Sequence, residues 1–250
     1  MASVTTRTKE IKQPRGGYLN IKDFEVLDLD DGKILYENEN MNPSTVGIVV
    51  DYLSRFMLTH DLVEAFKISL YGATLVNKVE EAAYLLSQVE GLDDKSIIAA
   101  CKMASFDIAF RVSPASFSGY YHINPNEQTI KNIRTMVQRS LLFFEMFGPI
   151  IKDGFTFEGG YTDTISTGDG DFLTQDILFD FKVSKNEPNT KYTLQILVYY
   201  IMGLHSIHNC FKNLTGLGLF NPRLNKVYLY DLSKLSPEII KEIEQNVICY

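Results

Sequence analysis

Cysteine is scarce in this chain of 250 residues. Its three thiols, Cys101, Cys210 and Cys249, stand far apart and form no C-x-x-C pair, which argues against a disulfide framework, a zinc ribbon or a four-cysteine iron–sulfur cluster. They are expected as reduced thiols. The chain also lacks any apolar run approaching about 18 residues, and its opening stretch, MASVTTRTKEIKQPRGG, carries no apolar h-region. Neither a membrane span nor a signal peptide is supported, and a cytoplasmic protein is expected. No G-x-x-x-x-G-K-[ST] occurs, so any ATP-driven opening of a substrate falls to a partner. Internal repeats and low-complexity linkers are missing too.

What is plentiful is acid, with a formal net charge of -7. Taken alone, such a balance speaks against nucleic acid, whose binding draws on phosphate neutralisation by Lys and Arg. Yet carboxylates gathered to hold metal ions also make a chain acidic, and the bound cations reverse the local field. Distribution matters more than the sum. Residues 1–17 carry Arg7, Lys9, Lys12 and Arg15 against Glu10 alone and read as a flexible basic tail, with a basic arm as the alternative. With 45% hydrophobic residues, the remainder, 18–250, is long enough to bury a substantial core and reads as one domain.

The hydrophobic period divides that domain. Residues 18–38 alternate in short runs around Asp30-Asp31-Gly32 and predict a hairpin. Asn42-Pro43 then opens a helix with the apolar stripe Val46, Val49, Val50, Leu53 and Met57. Helical spacing continues at about 61–89, 93–112 and 126–147, until Gly148-Pro149 stops it. Residues 44–150 are therefore mostly helical. From about 155 the period shortens to two, giving strands in FTFEGG, GDGDFLT and ILFDFKVSK; a helix follows at about 190–207, then a strand pair and a helix from Ser236-Pro237. The expected class is α/β, a mixed sheet flanked by helices with a largely helical N-terminal half.

Charge inside one of those strands raises the chemical question. Asp180 and Lys182 sit among Ile177, Leu178, Phe179, Phe181 and Val183, where an unpaired buried charge costs several kcal/mol. Residues two apart share a strand face, so Asp180 and Lys182 project together while Phe179, Phe181 and Val183 take the other side. If the preceding strand pairs alongside, Asp171 or Asp169 can approach Asp180. Two neighbouring carboxylates repel unless a cation lies between them, and a hard, oxygen-seeking divalent ion such as magnesium suits that position. Lys182 would then orient or help deprotonate a water for attack on a phosphoryl group. Three other [DE]-x-K triplets occur, at Glu10, Asp31 and Asp93, but only Asp180 lies in an apolar strand, follows G-x-x-D (Gly168 to Asp171) and precedes Gln195-x-x-x-Tyr199.

These segments, GDGDFLT, ILFDFKVSK and LQILVYY, resemble the core of the PD-(D/E)xK nuclease superfamily, most closely its RecB-like exonuclease branch. The resemblance spans about residues 155–230. It implies a restriction-endonuclease-like core that cuts DNA phosphodiesters with Mg²⁺ or Mn²⁺ in repair, recombination or defence, an exonuclease ahead of an endonuclease. Carried over by position, Asp171 and Asp180 are metal ligands, Lys182 the catalytic lysine, and Gln195 and Tyr199 its helpers. Gly170 stands where the family's name-giving proline precedes the first aspartate. A further ligand is expected from Gly47-x-x-x-Asp51 on the first long helix or from Glu158; a surface ion pair with Arg55 and a turn position are their plainer roles. Lys185 and Lys191 are candidates for DNA contact or simply exposed lysines. His205, His208 and Cys210 read as a solvated helix end more readily than as a metal cluster. Expected partners are DNA, a helicase or other protein, and further copies of the chain. The alternative is an inactive nuclease-fold module that binds nucleic acid or a protein.

Overall fold

A computed structural model describes residues 2–250. The chain divides into two compact units, Met1–Asp30 with Glu145–Tyr250, and Asp31–Phe144. In chain order the first unit begins with β1 (Ala2–Ser3), α1 (Val4–Glu10) and β2 (Glu25–Asp28). The second is helical: α2 (Pro43–Thr59), α3 (Leu62–Ala65), α4 (Lys67–Leu75), α5 (Val79–Leu86), α6 (Asp94–Ala104), α7 (Asp107–Arg111) and α8 (Glu127–Phe147), whose residues from Glu145 onward belong to the first unit. The first unit resumes with β3 (Lys152–Phe155), β4 (Ile165–Thr167), β5 (Gly170–Leu173), β6 (Ile177–Phe181), α9 (Thr190–His205), β7 (Gly216–Asn221), β8 (Lys226–Asp231) and α10 (Pro237–Glu242), which runs on as a π-helical turn over Ile243–Ile248.

Six strands form one mixed sheet in the order β2-β8-β7-β6-β5-β3. Every neighbouring pair is antiparallel except β6 and β7. Parallel neighbours need a long crossover, and α9 supplies it. Its start is local chemistry, since the Asn189 side chain accepts from the Lys191 N–H and caps the first turn. Its apolar face, including Leu194, Leu197 and Ile201, is buried against Leu178, Leu217 and Leu219 of the sheet. On the opposite sheet face Phe179, Phe181, Phe172 and Phe220 pack together, with Phe172 and Phe181 centred 4.5 Å apart. Both faces are covered, so β6 reads as a nearly continuous apolar run.

The helical unit has its own core, in which Val46, Val49, Val50, Leu53, Phe66 and Ile97 are fully buried. The predicted helix at 61–89 is three short helices, and that at 93–112 is two. No helix among the described residues is long and apolar enough to cross a membrane.

Two sequence expectations change. The hairpin predicted over 18–38 keeps only β2, which pairs with β8. The residues past the turn are taken by polar side chains of α8: Arg139 binds the Asp31 carboxylate at 2.8 Å, and Asn132 brackets the backbone of Tyr36, accepting its N–H and donating to its carbonyl at 2.8 Å each. With those groups satisfied, no second strand is needed. The N-terminal stretch read as a flexible basic tail is likewise built in. Val4 is fully buried, and Arg7 spends its charge on the carbonyls of Val247 at 2.9 Å and Asn246 at 3.0 Å.

Candidate functional site

The register Phe172↔Phe179 and Leu173↔Leu178 sets β5 against β6 so that the ladder, extended by one step, puts Asp171 opposite Asp180. The tight connection between the strands makes this pairing local. Asp171 and Asp180 are close enough to interact side chain to side chain, and Asp171 Oδ2 also accepts the Phe181 N–H at 2.8 Å. Asp171, rather than the exposed Asp169, is thus the partner of Asp180. Gly170 has a steric reason to be glycine: a Cβ there would lie 2.3 Å from the Phe155 ring on β3.

Asp180 is 2% exposed and projects to the face covered by α9. Lys182, two residues on, places Nζ 2.6 Å from Asp180 Oδ2, yet that oxygen is buried and takes no well-oriented hydrogen bond. The two form a close ion pair. Burial pushes the Asp180 carboxyl up to about 7, with Lys182 opposing and Asp171 adding to the rise. Burial also works against the Lys182 charge, but Asp180 and Asp171 outweigh it and hold the ammonium protonated above the ordinary lysine range. The site is therefore a cation wedged against two carboxylates under a helix.

That helix completes it. Gln195 Nε2 donates to the Tyr199 hydroxyl at 2.9 Å, one helical turn away. Tyr199 is 4% exposed, and its ionisation is pushed well upward, by burial first and then by Asp180 and Asp171. It stays a neutral phenol beside two acids. Two residues not foreseen in the sequence join the cluster. Tyr192 presents its ring 5.3 Å from Lys182 Nζ, and Thr5 of α1 accepts from Gln195 Nε2 at 3.1 Å. Tyr192 stands three residues before Gln195, a helical spacing that could have flagged it; Thr5, 190 positions away from Gln195, carries no local signal.

The remaining candidates are held by other partners. Asp51 is on α2 of the helical unit, where Oδ1 accepts from Arg55 Nε at 2.9 Å, the ion pair its spacing allowed. Glu158 binds the Thr156 hydroxyl and, at 2.9 Å, His208; these partners lower its carboxyl to about 2. His205 pairs instead with Glu244 at 2.7 Å and stacks on Tyr250, so the two histidines turn to different acids. Lys185 and Lys191 are exposed beyond the carboxyl end of β6 and at the first turn of α9. Among the described residues, no group of three or more His, Cys, Asp and Glu side chains is gathered to hold a metal ion.

Two carboxylates on adjacent strands, balanced by the Lys182 ammonium, nonetheless offer oxygen donors of the kind a hard divalent cation takes. Magnesium is commonly held by one or two carboxylates and completes its shell with water and substrate phosphate. Comparisons with family models, curated proteins and solved structures find no match to this chain.

Proposed function

We propose that this protein is a metal-dependent nuclease of the PD-(D/E)xK kind, with a restriction-endonuclease-like core, hydrolysing DNA phosphodiesters in repair, recombination or defence. The observation that carries this reading is the pairing of Asp171 with Asp180 beside Lys182, at the carboxyl end of the two parallel strands. Open α/β sheets bind ligands at that end. The mixed sheet and the Gln195–Tyr199 helix packed on the D-x-K strand agree with the resemblance.

Asp171 and Asp180 would hold Mg²⁺ or Mn²⁺. When bound, the ion supplies Lewis-acid polarisation of the phosphate and a water acidic enough to attack near neutral pH. Lys182, protonated and anchored on one side by carboxylate and on the other by the Tyr192 ring, donates to the water or to a phosphoryl oxygen and offsets the charge that builds there. Tyr199 accepts from Gln195, which leaves its own proton free to donate toward the acids or the phosphate. α9 excludes bulk water from the inner side of the site, so these contacts act in a low dielectric.

The test is purified protein with Mn²⁺ or Mg²⁺ on single-stranded, double-stranded and branched DNA. Metal-dependent cleavage that disappears in Lys182→Ala is expected. Inert protein on every substrate, or full activity in that variant, contradicts the reading; inert protein that still binds DNA or a protein partner would favour the module instead.

A further inference from the structure

Many cations of this acidic chain sit beside acids, as Arg55 does with Asp51, Lys67 with Glu64, Arg134 with Asp94 and Arg139 with Asp31. The opening segment differs. Its one acid, Glu10, lies 3.9 Å from Arg7, which also turns to the carbonyls of Val247 and Asn246, and Lys12 and Arg15 are left exposed with no acid partner among the described residues. Their backbone is nonetheless fixed. The Gly17 N–H donates to the Pro14 carbonyl at 2.9 Å and closes a turn whose third position, Gly16 at φ 91°, is the left-handed one that such a turn reserves for glycine. Arg15 occupies the second position of that turn. The turn rests on the start of α9, where Gln13 Nε2 donates to the Thr190 carbonyl at 2.9 Å and a Cβ on Gly17 would stand 3.0 Å from Thr190 Cγ2. A little further on, Thr193 donates to the Leu19 carbonyl at 2.9 Å.

This seating brings the two cations to the end of the sheet that carries the paired acids. Lys191, exposed, follows Thr190, and the next residue, Tyr192, lays its ring 5.3 Å from Lys182 Nζ. We propose that Lys12, Arg15 and Lys191 form a fixed cationic rim that binds the DNA backbone beside the Asp171–Asp180–Lys182 site. Attraction to phosphate comes from cations that displace the counterions of DNA, and a cation already neutralised by a neighbouring acid has little to offer. The cations of this rim have no such neighbour. Because their backbone is held in place before DNA arrives, little ordering remains to oppose binding. Contacts of this kind position the duplex and read no bases, so the rim binds without sequence preference. The choice of DNA as the polyanion rests on the nuclease reading, since the rim adjoins the residues that this reading makes catalytic.

The test is fluorescence anisotropy of a labelled DNA duplex over a series of salt concentrations, with Ca²⁺ in place of Mn²⁺ to hold off cleavage. Full-length protein is compared with Lys12→Gln/Arg15→Gln and with Lys22→Gln/Lys234→Gln. The second pair removes the same two charges at the other end of the sheet, ahead of β2 and past the carboxyl end of β8, from lysines that are also exposed and without an acid partner. Each phosphate contact contributes about 0.9 to the slope of log K against log salt, so Lys12→Gln/Arg15→Gln should bind more weakly at low salt with a slope shallower by about 2. Lys22→Gln/Lys234→Gln should keep the slope of the unaltered protein. An unchanged slope in Lys12→Gln/Arg15→Gln, equal changes in both pairs, binding of RNA alone, or no DNA binding by the unaltered protein overturns the rim. Cleavage with Mn²⁺ is scored separately. A rim that passes in a protein that cuts no DNA stands without the nuclease reading, and a cutting protein whose slope is unchanged keeps the nuclease and loses the rim.

Discussion

Asp107 in the helical unit and Asp180 in the strand-rich unit are each 2% exposed, yet their surroundings differ in kind. Asp107 has both oxygens filled: Tyr52 donates to Oδ2 and Ser69 to Oδ1, both at 2.6 Å, and Arg111 Nε reaches Oδ2 at 3.1 Å. No second acid competes there, and the phenol of Tyr52 is pushed upward by burial and by Asp107. Asp180 faces another carboxylate, touches one lysine and keeps a buried oxygen without a hydrogen bond. A buried charge with every partner in place is a structural device; one left short of partners beside a like charge is poised for a ligand. The same residue type, equally buried, is fully partnered in one unit and, under the proposed function, held for a ligand in the other.

This contrast breaks most visibly under mutation. Lys182→Ala should cut metal-dependent DNA cleavage by about 100- to 1000-fold, the range for removing one preorganised electrostatic contact, and should also lower the urea midpoint at neutral pH because it strips two neighbouring carboxylates of their counter-ion. Asp107→Asn should act on stability alone. Losing the carboxylate that three donors share is expected to cost about 3 kcal/mol in urea unfolding, with folded protein still cleaving DNA. Cys101 reports the difference independently. It is fully buried in the helical unit, and burial pushes its thiol up to about 12, so it should resist a maleimide in the unaltered protein and in Lys182→Ala. Faster labelling of Cys101 is expected only in Asp107→Asn, through local opening.

A smaller effect follows from pH. The Asp180 carboxyl is raised to about 7, so protons compete with a cation below that value. Affinity for Mn²⁺ should rise by up to about tenfold per pH unit below 7 and flatten above it. Relative to an unfolded carboxyl that titrates near 3.8, this group's contribution to stability is fully present below that value and is lost as pH rises through about 7. A cation compensates the loss, so its stabilising effect in a thermal melt should be larger at pH 8 than at pH 5.5. An identical shift at both pH values would place the metal away from Asp180.

The site was legible in the sequence where its geometry is local. The strand period of two put Asp180 and Lys182 on one face, a helical turn joined Gln195 to Tyr199, and the short link between β5 and β6 brought Asp171 opposite Asp180. Each relation spans fewer than about a dozen residues. What escaped was long-range. Thr5 reaches Gln195 only because the buried Val4 and Arg7 tie α1 down, and no nearby pattern encodes that. The predicted hairpin at Asp30-Asp31-Gly32 lost to Arg139 and Asn132 of α8, more than 90 residues further on, which offered the backbone and Asp31 better partners than a second strand. β3 begins at Lys152, ahead of the apolar FTFEGG run, because its partner β5 extends the ladder to that point.

Mn²⁺ binding followed by electron paramagnetic resonance tests the central claim most directly, in full-length protein and in Asp171→Asn and Asp180→Asn at pH 8. One bound ion in the unaltered chain, lost in either variant, is the predicted result. No bound Mn²⁺, or binding that survives both substitutions, would contradict a cation shared by Asp171 and Asp180.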